Sequence, residues 1–268
     1  METKNIENRT KTEYSGKVDF VEDIPRPVVA VALNYPTNQL LPFHKHQSAQ
    51  LLYASKGVMT VTTKLGIWVV PPERAVWIPK QADHEIHTYG QLSMRTLYIK
   101  SEAATDFPKQ CCVVTISPLL KELIQHATTL PTYYNLEGPD ERIMSVILDL
   151  IKSLPVTPLV LRMPQDSRLN IIYQTLVDNP SDNRSLDEWG HKVGACSRTL
   201  TRLFQAETSM SFRQWRQQFR LLEALKRLGQ QEPVTNIAFD LGYNSTSAFI
   251  NMFKKALGKT PGQYFNQP

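Results

Sequence analysis

The sequence predicts a multidomain protein, with an all-β barrel that carries two helices followed by an all-α domain with two helix-turn-helix units. Residues 28–100 hold short apolar runs separated by turn residues, a pattern typical of a sandwich or barrel. Residues 185–257 instead place apolar side chains at helical spacing, in two similar units. A chain of 268 residues is long enough for two such domains.

The composition excludes several classes of protein. The chain has no run of 18 or more apolar residues, so we expect no membrane-spanning helix and no membrane partner. Residues 1–20 are polar and lack the apolar core of an export signal. The three cysteines provide no disulfide framework, and we therefore expect a cytoplasmic location.

Shifts in composition divide the chain into four parts. We expect a flexible N-terminal segment at 1–27 and the first domain at 28–154. Three prolines mark 155–164 as the linker. The second domain is then 165–268.

The first domain is expected to combine strands with two later helices. Six strands are predicted at 28–33, 50–55, 58–63, 67–70, 75–78 and 95–99. One helix begins at Ser117-Pro118, with proline at a favoured early position. A second helix covers 139–154 and carries an apolar stripe. That stripe either covers the barrel or meets its counterpart in a second subunit, and we expect a homodimer.

The most informative motif lies at about 234–257, where a short helix, a tight turn and a second helix follow one another. Gly242 supplies the turn, because glycine takes positive φ without steric cost. Ser245 caps the second helix, while Phe249 and Phe253 turn one of its sides inward. The opposite side stays free, as entry into a DNA major groove requires.

A second copy of this unit lies at about 185–206 and opens with a capping box of Ser185 and Glu188. Its apolar pair, Leu200 and Phe204, recurs 49 residues later in the unit just described (249 − 200 and 253 − 204). Between the units, a capped helix of about 17 residues spans roughly 26 Å. Two reading helices joined by such a strut fit neighbouring turns of one groove, which recur about every 34 Å.

The charge of the chain is uneven. Residues 1–160 hold 16 Lys+Arg and 16 Asp+Glu, whereas residues 161–268 hold 14 and 9, a net of +5 (14 − 9). The whole excess therefore lies on the half that carries the helix-turn-helix units, as attraction to DNA phosphates requires.

Residues 184–265 resemble the DNA-binding domain of the AraC/XylS family of bacterial transcription regulators. The resemblance rests on the upstream run SRTLTRLFQAETSMSF and on Ile237, Ala238, Gly242, Tyr243, Ser245, Ser247, Phe249, Phe253, Gly258, Pro261 and Tyr264. It implies a sequence-specific transcriptional regulator rather than an enzyme, with promoter DNA and RNA polymerase as partners. One departure is Cys196, which stands where the family commonly has a capping serine.

The residues expected to read DNA lie on the helix faces opposite the apolar ones. They are Arg198, Thr201 and Arg202 in the first unit and Thr246, Ser247, Ile250 and Asn251 in the second. Arg202 is the foremost candidate, because arginine binds guanine through two parallel bonds worth about 1–3 kcal/mol of discrimination. Candidates for phosphate contacts are Arg213, Arg216, Arg220, Lys254, Lys255 and Lys259.

The histidines of the first domain form a second candidate site. His44 and His46 are two residues apart, so on a strand they share one face, and His84 follows later. This layout resembles the cupin barrel, in which two histidines, a glutamate and a later histidine bind a divalent metal. Gln50 stands where the glutamate would be, and a neutral amide is a weaker ligand. Three interpretations stay open: a pocket for a small-molecule effector, a metal site, or structural histidines.

The combined pattern predicts a transcriptional regulator that responds to a small molecule through its cupin-like domain. No cofactor is required, although a divalent metal fits the histidines. The alternative is a cupin metalloenzyme with an appended nucleic-acid-binding module. That alternative needs a complete set of metal ligands, which Gln50 interrupts.

Overall fold

The first half of the molecule is built on one antiparallel sheet. A computed structural model describes residues 21 and 23–265 of the chain. Within these residues the sheet contains β1 (Val28–Tyr35), β2 (Leu40–His44), β3 (Ala49–Thr63), β4 (Gly66–Val70), β5 (Arg74–Ile78), β6 (His84–Ile99), β7 (Cys112–Thr115), β8 (Val156–Thr157) and β9 (Val160–Arg162). The main path runs β1-β6-β3-β5-β7-β8, with β2 on β6 and β4 between β3 and β9. The predicted β-rich domain is confirmed.

Two long strands, β3 and β6, form the centre of this sheet. They pair from Ala49 with Ile99 to Thr62 with Glu85. The separate strands predicted at 50–55 and 58–63 are one strand, because Gly57 adopts a φ of +82° and lets β3 continue through an irregularity. A Cβ at Gly57 would lie 2.3 Å from the Gln91 carbonyl oxygen, so only glycine fits there.

The two faces of the sheet have different neighbours. Alternate residues of β3, such as Leu51 and Tyr53, pack towards α1 (Pro118–Ala127) and α2 (Pro139–Lys152). Leu52 points to the opposite side, into the barrel interior. The apolar stripe of α2 is thus buried on its own barrel, which is the first of the two arrangements predicted for it.

The second half of the described chain is all helical. Its elements are α3 (Ser167–Asp178), α4 (Leu186–Val193), α5 (Ser197–Thr208), α6 (Phe212–Gly229), α7 (Val234–Asp240), α8 (Thr246–Leu257) and α9 (Pro261–Phe265). Helices α4 and α5 form the first predicted helix-turn-helix unit, and α7 and α8 form the second. Among the described helices, none is both long and apolar enough to cross a membrane.

Two predicted boundaries need correction. The proposed linker, 155–164, contributes β8 and β9, which pair with β7 and β4, so it belongs to the sheet rather than forming a free tether. Most of the proposed flexible segment, residues 1–20 and 22, lies outside the described residues. Its last part is packed, since Ile24 is fully buried with Val29 and the Arg26 Nε donates to the Tyr134 carbonyl at 2.6 Å.

The two halves share one apolar core through α6. Its last turn packs against the barrel, where a Cβ on Gly229 would lie 2.6 Å from Val58 Cγ2. Gly90 of β6 lies against the same turn of α6, because a Cβ on Gly90 would lie 2.1 Å from the Gly229 carbonyl oxygen. Gly229 ends α6 and is also a point of contact between the two domains.

Polar contacts surround this apolar junction. Gln230 Nε2 donates to Asn38 Oδ1 at 3.0 Å. Lys259 Nζ lies 3.1 Å from Glu73 Oε2. Trp215 Nε1 donates to the Arg162 carbonyl at 3.2 Å. The helical half is therefore attached to the barrel along the length of α6 and again near the end of the chain.

Candidate nucleic-acid interface and sensor site

Helix α5 presents the first candidate reading face. Leu200 and Phe204 are fully buried and anchor the helix on the core. Arg198, Thr201 and Arg202 are exposed on the other side, as predicted from their spacing. The Thr201 hydroxyl donates to the Ser197 carbonyl at 2.9 Å, so it is engaged by its own helix. The two arginines are the groups on this face that are best placed to reach a base edge.

Helix α8 presents the second reading face. Gly242 has a φ of +76°, and the Ser245 hydroxyl accepts a bond from the Ala248 amide, as the sequence predicted. Buried Phe249 and Phe253 hold the helix inward. Among the four predicted readers, Ser247 and Asn251 are exposed, while Thr246 and Ile250 are half-buried. Asn251 is the strongest of these candidates, because an exposed amide can bind adenine through two bonds.

Helix α6 connects the two units. The Ser211 hydroxyl caps it and Gln214 completes a capping box. Trp215 and Phe219 are buried on the side that faces the core. Because α6 packs against both halves of the domain, the two reading helices are held on one rigid support.

The predicted phosphate candidates separate into two groups. Arg213, Lys254 and Lys255 are exposed. Arg220 is 7% exposed and donates to the carbonyl oxygens of Pro180 and Asp182, both at 3.1 Å. Lys259 pairs with Glu73 of the barrel. Arg220 and Lys259 therefore also have structural contacts, which sequence spacing did not reveal.

Cys196 occupies the cap position of α5. Its backbone has the φ of −75° and ψ of 154° of a helix cap, but its side chain makes no capping hydrogen bond. The sulfur instead lies 3.2 Å from the Thr199 hydroxyl. The departure from a capping serine thus leaves the start of the first reading helix without the side-chain bond that Ser245 supplies to α8.

The three histidines predicted for the barrel meet in its interior. One ligand nitrogen from each of His44, His46 and His84 lies within 4.8 Å of those from the other two. The His44 and His84 ring centroids are 4.3 Å apart, and the Tyr98 ring is 5.4 Å from His46. Strand β2 and the start of β6, which pair with each other, bring His44 and His84 together.

Hydrogen bonds fix the protonation of two of these rings. His44 Nδ1 lies 2.7 Å from the Pro42 carbonyl and His84 Nδ1 lies 2.8 Å from the Ala82 carbonyl. Because a carbonyl only accepts, both Nδ1 atoms carry a proton, and Nε2 is the nitrogen of each ring that is left to bind a ligand. A metal-bound histidine commonly donates its second ring nitrogen to a carbonyl in this way, so the cluster fits a metal ion.

Burial keeps two of the three rings neutral. It lowers the pKa of His46 to about 3, with the charges of His44 and His84 acting in the same direction. Burial also lowers the pKa of His84 to about 4. Both rings are therefore uncharged near pH 7, which is the state that binds a metal or accepts a hydrogen bond.

Other polar groups share this interior. Gln50 is 3% exposed and lies opposite Tyr98 in the sheet, while Thr96 lies opposite Leu52. Within the described part of the chain, Gln50 Oε1, Thr96 Oγ1 and His84 Nε2 are buried and have no hydrogen-bond partner. Buried polar atoms are nearly always paired in folded proteins, so this grouping marks a place where a ligand can supply the missing bonds. Thr96 was not among the predicted site residues, because its isolated position on β6 gave no signal.

A polar barrel interior joined to two exposed helix-turn-helix units defines a DNA-binding transcriptional regulator with a ligand-binding domain. Residues 26–156 match the family model of the AraC-like ligand binding domain, and residues 189–267 match a helix-turn-helix domain. The chain belongs to the AraC family of transcriptional regulators.

Curated relatives agree with this assignment. The chain is 36% identical over 237 residues to the HTH-type transcriptional regulator NimR of Escherichia coli K12, a match that covers 88% of this chain and 86% of NimR. It is 32% identical over 111 residues to the HTH-type transcriptional regulator RipA of Corynebacterium glutamicum, covering 41% of this chain and 32% of RipA. The protein is a regulator, and the alternative of a cupin metalloenzyme is not supported.

Among solved structures, the chain is similar to ToxT from Vibrio cholerae O395. The identity is 12% and the TM-score is 0.38, over 89% of this chain and 97% of ToxT.

Proposed function

We propose that α5 and α8 enter successive major-groove segments of an operator and that a small molecule bound inside the barrel changes this binding. The observation that carries the proposal is that both helices are anchored by buried aromatic residues while their outer faces stay uncovered. Arg198 and Arg202 are the proposed base readers of α5. Ser247 and Asn251 are those of α8, with Thr246, Ile250 and Thr201 at the margins. The proposed place of action is the cytoplasm.

An Arg202→Ala variant tests the reading face. One bidentate contact to guanine is worth about 1–3 kcal/mol, so operator affinity should fall roughly 5- to 150-fold. Affinity for unrelated DNA should fall much less. Fluorescence anisotropy with the protein's own upstream DNA measures both, and Arg142→Ala on α2 is the control, since Arg142 is exposed on the far domain. Equal losses on both DNAs would mean that Arg202 contacts phosphate alone.

The proposed effector site is formed by His44, His46, His84 and Gln50. Its support is the set of buried polar atoms that have no partner among the described residues, His84 Nε2 and Gln50 Oε1 included. Both of these atoms accept hydrogen bonds, so they favour a small ligand that carries hydrogen-bond donors. A Gln50→Leu variant should no longer bind this ligand, but it should still bind unrelated DNA.

A divalent transition metal is a second candidate occupant of the same site. The Nε2 atoms of His44 and His84, with the ring of His46, would hold it. Such an ion would supply a positive centre that anchors an anionic or Lewis-basic effector. Titration of chelator-treated protein with Co²⁺ tests this, because Co²⁺ bound by three imidazoles has a visible absorption band. The band should be lost in His84→Ala and kept in His126→Ala, which changes an exposed histidine on α1. Wild-type protein without the band would exclude the metal.

Two further partners complete the proposal. The outer surfaces of α1 and α2 leave Leu119 and Val146 exposed, at 59% and 48%, and these side chains support a homodimer through that surface. Sedimentation velocity should show a dimer that Val146→Asp weakens, and a monomer in the wild type at micromolar concentration would refute it.

RNA polymerase is the second proposed partner, testable by co-retention on promoter DNA with and without this protein.

A further inference from the structure

A positively charged cleft lies between α6 and α8. It has a volume of about 440 Å³ and is lined by Arg213, Arg216, Gln217, Arg220, Tyr243, Asn251, Met252 and Lys255. Four of these residues are cationic, and none is acidic. We propose that this cleft holds one phosphodiester group of the DNA backbone beside the groove that α8 enters. The inference rests on the proposed function of α8 as a reading helix.

The arginines of the cleft share one side of α6. Arg213, Arg216 and Arg220 are three and four positions apart, which places them next to each other along the helix. Burial is the largest cause that lowers the pKa of Arg216, and Arg213 lowers it further, whereas the charge of Asp182 acts in the opposite direction. Like charges at this spacing repel, so a bound anion stabilises the arrangement.

The two inner arginines are fixed without losing their charge. Arg216 donates to the Arg184 carbonyl at 2.8 Å, and Arg220 donates to the carbonyls of Pro180 and Asp182. These partners are neutral backbone oxygens. The nearby carboxylate of Asp182 is already bound by the Arg184 guanidinium at 2.5 Å. Arg216 and Arg220 are thus preorganised cations whose positive charge is available to a ligand.

The position of the cleft selects a DNA phosphate as the anion. Asn251 belongs both to the reading face of α8 and to the wall of the cleft. When Asn251 faces a base edge, the backbone that borders the same groove passes over the cleft. Exposed Arg213 and Lys255 stand at the rim, where they can close on a phosphate. Arginine forks match phosphate geometry, and the phosphate contacts of a DNA-binding protein fix its orientation on the duplex.

The salt dependence of binding tests this inference in the full-length protein. Each phosphate neutralised adds about 0.9 to the slope of log Kd against log salt concentration. Variants Arg213→Ala and Lys255→Ala, alone and combined, remove only exposed side chains. The double variant should lower the slope by less than about 0.9, because Arg216 and Arg220 still contact the one phosphate that both residues serve, whereas the loss of two separate phosphates would lower it by about 1.8. The losses should be the same on operator and unrelated DNA.

Arg142→Ala is the control, since Arg142 is exposed on α2 of the far domain and does not line the cleft. A double variant with the wild-type slope, or with the slope of Arg142→Ala, overturns the inference. Binding of inorganic phosphate in the cleft, combined with a salt slope for DNA binding that the variants leave unchanged, also overturns the inference. The cleft would then be a site for a free anion. Wild-type protein that binds no DNA would instead refute the proposed function.

Discussion

Gly229 at the end of α6 allows a test of the contact between the domains. In an open helical position, a change from glycine to alanine stabilises a protein by up to about 1 kcal/mol. At Gly229 the new methyl group would lie 2.6 Å from Val58 Cγ2 and 2.9 Å from Val58 Cβ. Ordinary contact begins near 3.4 Å, so α6 or β3 must move by about 0.8 Å (3.4 − 2.6). We therefore expect Gly229→Ala to lower the stability of the protein rather than to raise it.

The expected size follows from the cost of overpacking. Forcing an extra methyl group into a packed core costs about 1–3 kcal/mol. After a gain of about 1 kcal/mol in helix propensity, Gly229→Ala should destabilise the protein by up to about 2 kcal/mol. For a chain of this length that lowers the Tm by up to roughly 8 °C. Differential scanning calorimetry provides the measurement.

Two further variants isolate the cause. Gly262→Ala is the control, because a Cβ on Gly262 in α9 would meet nothing within 4 Å, and this variant should not lower the Tm. Val58→Ala removes two buried methyl groups and costs about 1.6 kcal/mol or more by itself. In that background the 2.6 Å contact with Cγ2 is gone while the 2.9 Å contact with Cβ remains, so Gly229→Ala should cost about 1 kcal/mol less than in the wild type. Additive effects, or a higher Tm for Gly229→Ala alone, would show that α6 does not press on the barrel.

Two other predictions concern the reading helix and the histidine cluster. Cys196→Ser should raise the Tm by about 2–4 °C, because a serine with this backbone geometry caps the helix, as Ser211 does, and stabilises it by about 1 kcal/mol. An unchanged or lower Tm would contradict this. Burial places the pKa of His46 at about 3 and that of His84 at about 4, whereas a histidine in the unfolded chain has a pKa of about 6.5. The unfolded state therefore binds more protons below pH 6.5, and the free energy of unfolding decreases as the pH falls from 6.5 towards 4. Urea unfolding with chelator present should show this loss reduced in His84→Gln, and parallel pH curves for variant and wild type would refute it.

Elements with a local signal were predictable from the sequence. Ser185, Ser211 and Ser245 cap helices where the sequence placed them, because a cap depends on residues within one turn. Gly242 has the positive φ that the turn needs. The histidine cluster also followed from spacing along a strand, which fixes the face on which each side chain lies.

Elements that depend on distant neighbours were missed. Strand β2 and the first half of β6 were not predicted, because their inward residues include polar side chains such as His84 and Thr88, which conceal the apolar alternation. The double role of Arg220 was missed for a similar reason. Its partners lie about 40 residues away in the loop that holds Pro180 and Asp182, and no pattern within α6 points to them.

The shared core of α6 and the barrel has a thermodynamic consequence. His84 and Gly90 lie on the same strand, about 20 Å apart at 3.4 Å per residue, and Gly90 touches the last turn of α6. A ligand at the proposed histidine site and a duplex at the proposed reading helices α5 and α8 would therefore act on one continuous body. Linkage would then work in both directions: whatever factor the small molecule imposes on operator affinity, the operator would impose on the affinity for the small molecule. In that case the promoter itself regulates how tightly the signal is held.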